Sequence, residues 1–292
     1  TAAQKSAIRE IIEDISKEKP MNRLLEGDVG SGKTVVAALA CFVAHTNGFQ
    51  SIIMAPTQIL ALQHHKTLNT ILAPFGVKIG LRVSGSSTLH HPSSNSDITV
   101  GTHALLQKTI NFDKLAFVVI DEQQRFGVAQ RALLAQKAGQ TAPHVLTMTA
   151  TPIPRTVALT MYGDLDLSIL DEMPVGRIPI KTWVVPPQKR EAAYEWIKKR
   201  VKDTDEQAFI VCPIIDESEK ETMKSVRAAT VEFEKLSKKV FPDLRLGLLH
   251  GKIKSKEKEK IMQKMKEGKI DILVATPVVE VGIDMPNATI MF

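Results

Sequence analysis

Apolar residues along this chain fall into two kinds of run, and the two kinds alternate. Over residues 4–18, Ile8, Ile11, Ile12 and Ile15 recur at helical spacing, and Pro20 closes the segment. Short strand candidates, most of them largely apolar, follow at Arg23–Glu26, Ser51–Ala55, Val77–Val83, Asp97–Gly101, Phe117–Ile120 and His144–Thr149. Helical patterns separate them: one runs to about Thr46, one opens at Pro56-Thr57 and runs to about Leu72, and one follows Pro152. Strands that are apolar on both faces and alternate with helices predict a parallel sheet covered on both sides. Around residues 164–180 the pattern loosens, and Asp171–Pro179 reads as a linker. A second series then predicts strands at 180–185, 208–212, 244–249, 270–275 and 289–292, with helices near 189–203, 222–240 and 255–267. The expected organisation is α/β, with residues 1–175 forming one doubly wound unit and residues 176–292 a second.

The two halves echo each other. Lys78–Gly85 leads to Asp97–Thr102 as Leu244–Gly251 leads to Asp271–Thr276, which reads as two copies of one α/β unit. The Ser84–Ser96 stretch, rich in Ser, His and Pro and without periodicity, reads as a mobile loop.

Composition narrows the class. With 292 residues, 43% hydrophobic and 24% charged, the chain suits about two soluble globular domains. No run approaches a membrane span and the first residues lack a signal-peptide core, so no membrane partner and a cytoplasmic location are expected. Cys41 and Cys212, each in an apolar setting, are expected to be free thiols. The net charge of +6 suits an anionic partner, while only 5% aromatic residues argue against base stacking as the main grip on nucleic acid.

The chemistry centres on Gly27-Asp28-Val29-Gly30-Ser31-Gly32-Lys33-Thr34, which fits the phosphate-binding loop G-x-x-x-x-G-K-T between a strand end and a helix start. Glycines let successive N–H groups turn inward around phosphate oxygens, and the new helix adds the positive end of its dipole. Lys33 can reach the terminal phosphates and the Thr34 hydroxyl can ligate Mg²⁺. Asp121-Glu122 ends an apolar strand, where a parallel sheet presents its ligands. Asp121 is the candidate metal residue and Glu122 the candidate general base for an attacking water.

Three long segments carry a resemblance. The phosphate loop, Asp121-Glu122-Gln123-Gln124-Arg125-Phe126-Gly127-Val128 and Thr149-Ala150-Thr151-Pro152-Ile153-Pro154-Arg155-Thr156 resemble the motifs of superfamily 2 helicases, in particular those that act on branched DNA. Tyr162–Asp166, Pro174–Arg177, Leu249–Lys252 and Ile272–Ala288 are similar to further segments of that family. The resemblance implies two RecA-like doubly wound parallel-sheet lobes, the second truncated, with ATP and Mg²⁺ bound mainly by the first. It implies that Gln4 reads adenine, and that Pro56, Thr57, Thr102, His103 and Thr276 contact the DNA backbone. Thr149 and Thr151 would couple ATP state to DNA grip, and Gly282 and Asp284 would face the nucleotide from the second lobe. The implied partner is branched double-stranded DNA, handled by a monomer.

Three departures bear on that expectation, one of them the Ser84–Ser96 loop, which is shorter and poorer in charge than the helix the family usually has there. Gln124 stands where the family more often has histidine, so it can hydrogen-bond but cannot titrate. The resemblance also implies an arginine-containing sixth motif beyond Phe292, a wedge domain before Thr1 and a translocation hairpin after the second lobe. The chain is therefore read as a motor core that binds ATP–Mg²⁺ and hydrolyses it slowly; a pure ATP- and DNA-binding module and a transcription-repair coupling translocase are the other readings. The pairs His64-His65 and His90-His91 lack metal-ligand spacing, and the lysine-rich run from Lys252 to Lys269 reads equally as a solvated helix face or a phosphate contact. Trp183 and Trp196 are expected in packing rather than in stacking on bases.

Overall fold

A computed structural model describes residues 1–83, 96–107, 110–122, 142–151, 165–172, 180–212, 228–276, 285 and 287–292. The chain divides into two compact units, Thr1–Ile178 and Pro179–Phe292.

In the first unit, helix α1 (Ala2–Ile15) is followed by β1 (Asn22–Gly27), α2 (Lys33–Thr46), β2 (Gln50–Met54) and α3 (Gln58–Leu72). Strands β3 (Ile79–Arg82), β4 (Ile98–Gly101), β5 (Leu115–Asp121), β6 (His144–Thr149) and β7 (Asp166–Leu170) complete a seven-stranded sheet in the order β3-β4-β2-β5-β6-β1-β7. Every pairing in it is parallel. Leu24, Leu25, Ile52, Ile98 and Val118 are fully buried, each such side chain contributing about 2 kcal/mol of apolar burial. That explains why most of the strands read as largely apolar runs. Cys41 lies in the same core as a free thiol whose complete burial pushes its pKa up to about 12.

Helix α1 buries Ala7, Ile11 and Asp14, while Ile12 is 39% exposed. The face expected from the four isoleucines is thus shifted to make room for a carboxylate. Asp14 is buried because Arg23, inside β1, binds it through both Nε (2.8 Å) and Nη2 (2.6 Å). Arg23 Nη1 continues to Glu10 and to the Ser168 hydroxyl of β7.

The second unit holds α4 (Arg190–Thr204), β8 (Gln207–Val211), β9 (Leu246–Leu249), α5 (Ser255–Lys266), β10 (Ile272–Ala275) and β11 (Ala288–Met291). Its four strands pair in parallel in the order β11-β8-β10-β9. Buried Gln207 donates to the carbonyls of Met265 and Ile270, tying β8 to the segment between α5 and β10. Cys212 is a half-buried free thiol. Helix α5 packs Met262 and Met265 inward from the lysine-rich run.

The internal echo has a structural counterpart. Asp97 Oδ2 accepts from Lys78 N at 2.7 Å, and Asp271 Oδ2 accepts from Arg245 N at 2.7 Å. Asp97 N donates to Lys78 O at 2.9 Å and Asp271 N to Arg245 O at 2.8 Å. Each aspartate therefore clamps the start of its strand to the neighbouring strand in the same way, in two different units.

Two expectations fail. Residues 180–185 form no strand: Ile180, Trp183 and Val184 are 80%, 67% and 96% exposed, so the apolar run pairs with nothing among the described residues. Conversely, β7 falls where the sequence pattern loosens. It is an edge strand with Ile169 half exposed, so its alternation of buried and exposed positions hides it among the apolar runs. The Ser84–Ser96 loop lies almost wholly outside the described residues.

Candidate functional site

The phosphate loop begins at the end of β1. Gly30 and Gly32 have φ of +84° and +91°, backbone that L side chains rarely adopt. Gly27 allows close approach instead: a Cβ there would stand 2.6 Å from Ser31 Oγ and 2.9 Å from Leu170 Cβ. Gly32 is the cap position of α2 and supplies no side-chain hydrogen bond, which leaves the first turn of Lys33 and Thr34 open to an anion. Asp28 and Val29 are exposed at the loop tip, where Asp28 Oδ1 accepts from Val29 N at 2.6 Å.

Lys33 Nζ donates to the carbonyls of Gly27 (2.6 Å) and Asp28 (3.1 Å), so the ammonium spans the loop interior. Burial pushes its pKa below the usual lysine value, while the charges of Asp121, Glu122 and Asp28 pull the other way. A cation that is partly desolvated and faces acidic neighbours is a receptor for phosphate and metal together. The buried Ser31 hydroxyl has no hydrogen-bond partner among the described residues, a further polar atom awaiting a ligand in the same loop. The residues thus fit a nucleoside triphosphate with Mg²⁺. Among the described residues no group of three or more His, Cys, Asp or Glu could hold a metal alone. Mg²⁺ arriving with phosphates needs only one or two protein ligands, and Thr34 and Asp121 are the candidates.

Sheet register assembles the rest. Thr149 pairs with Glu26 at the end of β1, and Met148 pairs with Asp121 at the end of β5. The Thr149–Thr151 turn therefore lies between the phosphate loop and Asp121-Glu122. Thr149, fully buried, bonds Thr151 hydroxyl to hydroxyl at 2.9 Å and accepts from Thr151 N at 3.2 Å. Glu122 has φ +55°, strained backbone for a non-glycine residue, and donates its N–H to Met148 O at 3.0 Å. Such outliers persist where the surrounding structure over-determines them, as at a working site.

The same edge carries the candidate nucleic-acid residues of the first unit. After β2, Ala55 N donates to Gly101 O at 2.8 Å, so Pro56-Thr57 and Thr102-His103 leave neighbouring strands side by side. Thr57 caps α3, accepting from Leu60 N at 3.3 Å. Thr102 caps the short turn His103–Leu106, on which His103 is exposed. Gly101 is needed because a Cβ would stand 2.3 Å from Arg82 O. Gln4, on α1, reaches the loop from the far side, with Nε2 2.8 Å from Ser31 O. Thr276 follows β10 in the second unit and is buried, its N–H bonded to Leu249 O at 3.1 Å. Gln124, Gly282 and Asp284 lie outside the described residues.

One residue beside this site was weighed at the sequence level only as half of a His64-His65 pair without metal-ligand spacing. His64, on α3, is buried with its Nε2 2.7 Å from Asp121 Oδ2. The signal was present: His64 occupies the buried stripe of α3 with Leu60, Leu68 and Leu72, where an imidazole needs a partner.

A parallel sheet with a phosphate loop, an Asp-Glu strand end and a Thr-Ala-Thr turn along one carboxyl edge defines a nucleotide-binding lobe of the RecA-like motor class. The chain belongs to the DEAD/DEAH box helicase family, whose model matches residues 1–160; the helicase conserved C-terminal domain matches residues 188–292. ATP-dependent DNA helicases RecG are similar over the whole chain, at 47% identity for that of Synechocystis, 48% for Aquifex aeolicus and 43% for Escherichia coli K12. The chain spans 35%, 37% and 43% of those relatives' lengths. Among solved structures, RecG bound to a three-way DNA junction superposes with a TM-score of 0.79 at 41% identity, covering all of this chain and 38% of that one. Dbp5 of S. cerevisiae bound to RNA and ADP BeF3 gives 0.69 at 17% identity over 98% of this chain and 73% of that one, a likeness of fold alone. Among the described residues no helix is long and apolar enough to cross a membrane.

Proposed function

We propose that this chain is the ATP-driven motor portion of a DNA helicase acting on branched DNA, of the kind that regresses replication forks and processes Holliday junctions in recombination and repair. The observation that carries the reading is the row of chemistry along one sheet edge: Thr102, Thr57, Asp121-Glu122, Thr149 and the phosphate loop at successive strand ends. The RecG relatives and the junction-bound RecG structure supply the class of substrate.

In this reading the loop N–H groups and Lys33 hold the β- and γ-phosphates. Thr34 and Asp121 hold Mg²⁺, which when bound neutralises charge on the phosphoryl oxygens. Glu122 orients the attacking water, and Gln124, which cannot titrate, serves by hydrogen-bonding to the neighbouring motif. Gln4 recognises the adenine edge, and Gly282 and Asp284 are assigned to the nucleotide by their resemblance to the family motif. Thr149 and Thr151 lie within the nucleotide half of the edge, between the phosphate loop and Asp121-Glu122, and in this reading they couple ATP state to the DNA grip of the threonines further along. Pro56, Thr57, Thr102, His103 and Thr276 grip phosphates, which positions the DNA without reading its sequence.

The test is nucleotide binding by this chain, and DNA-dependent turnover by the longer protein. ATP should bind in a Mg²⁺-dependent manner, Lys33→Ala should abolish binding, and the longer protein should show salt-sensitive affinity that favours forked over linear DNA. ATP binding that survives Lys33→Ala, or a longer protein indifferent to DNA, would overturn the proposal.

A further inference from the structure

We propose that His64 is a positioning residue for Asp121, its imidazole fixing the carboxylate that holds Mg²⁺. The inference rests on the nucleotide-site reading given above and adds to it a residue outside every motif that carried that reading. Helix α3 buries Leu60, Ala61, His64, Leu68 and Leu72 on one face, so the imidazole takes a place otherwise given to apolar side chains. Among the described residues its one side-chain partner is Asp121, at 2.7 Å, with both side chains about nine-tenths buried. An ionised carboxylate can only accept, so Nε2 carries the proton and donates to Oδ2. That leaves Oδ1 for the metal or its waters.

Asp121 needs such a clamp. It is the last residue of β5, and the chain turns away at once through the positive φ of Glu122. The Asp121 backbone is held by the sheet, but its side-chain torsions are not. A buried ring on a fifteen-residue helix, itself packed against the sheet, removes that freedom before the metal arrives. The arrangement matches the hydrogen-bonded supports of metal carboxylates generally, whose loss weakens metal binding about 10- to 100-fold.

A histidine that merely fills the core would affect folding and leave metal dependence alone. The experiment therefore reads binding of a fluorescent, non-hydrolysed ATP analogue to this chain across a Mg²⁺ titration and in EDTA. His64→Ala should raise the Mg²⁺ concentration for half-maximal binding about 10-fold, with EDTA-state affinity held within about twofold because the phosphate loop is untouched. His64→Gln, which keeps an N–H donor, should recover most of the loss. His64→Leu, which keeps bulk without a donor, should behave as His64→Ala and serves as the loss variant if the alanine chain does not fold. In an Asp121→Asn background the same substitutions should raise the requirement no further. An unchanged Mg²⁺ requirement in a folded loss variant, or additive losses with Asp121→Asn, would overturn the proposal. A parent chain that binds no nucleotide, or binds it equally well in EDTA, would instead overturn the functional reading beneath it.

Discussion

Gln4 Nε2 donates to the Ser31 carbonyl at 2.8 Å, so the first helix braces the phosphate loop from outside. The same nitrogen would stand 2.1 Å from a Cβ built at Gly32. Helix α1 and loop are therefore fitted to each other at a point where only glycine is accommodated.

Gly32→Ala should abolish nucleotide binding and destabilise the fold by about 1–2 kcal/mol, because φ there is +91°. Adding Gln4→Ala removes the clash but not the backbone strain, so binding should stay lost. Gln4→Ala alone should cost about 1 kcal/mol, the worth of one hydrogen bond, and blunt the preference for ATP over GTP. Thermal unfolding and competition binding measure both; recovery of binding in the double variant would refute the strain argument.

Lys33 gives a pH signature. Burial depresses its pKa, so the folded state releases this proton before the unfolded chain does, at about pH 10.4. Where the unfolded state binds more protons, stability rises with pH. Between the depressed value and the usual one, the intact chain should gain stability relative to Lys33→Met, and its affinity for ATP should fall as the positive charge is lost. Urea titrations at pH 7–10 test this, and parallel pH profiles for the two chains would contradict it.

The Asp14–Arg23 pair should dominate acid sensitivity of the first unit. Burial by itself raises the Asp14 pKa, but hydrogen bonds and charge from Lys17 and Arg23 more than offset it and hold the carboxyl below its usual value. A depressed carboxyl contributes stability above its unfolded pKa of about 3.9, lost as pH falls through the lower folded value. Arg23→Leu should cost roughly 3–5 kcal/mol at neutral pH by leaving Asp14 buried without its main partner. Circular dichroism on lowering pH should show an acid transition in the parent that the variant lacks.

Thr57→Ala should cost about 1 kcal/mol through loss of the α3 cap. In the longer protein it should weaken DNA binding to a similar degree for every sequence, as expected of a phosphate contact. A sequence-dependent loss would assign Thr57 to base recognition instead.

Much of this was legible in the chain itself. The phosphate loop and Asp121-Glu122 are local chemistry at fixed offsets, and the buried strands are largely apolar because both sheet faces are covered. The repeated Lys78–Asp97 and Arg245–Asp271 clamps also showed, as a short echo. What stayed hidden were edges and partners. β7 alternates because one face is exposed, residues 180–185 are apolar yet exposed, and His64 and Asp14 sit in apolar stripes where only a distant partner justifies them.

The sequence by itself determined which residues are the candidates for phosphate and metal, and that two α/β units carry them, since loop conformation and strand period depend on neighbours in the chain. Tertiary structure alone decided that β6 lies between β1 and β5, so the Thr149–Thr151 turn separates Lys33 from Asp121. It also decided that His64 meets Asp121, 57 residues away, and that Gln4 meets Ser31, 27 residues away. Those relations follow from strand order and helix docking, which are settled by how whole apolar faces pack together and leave no period in the sequence.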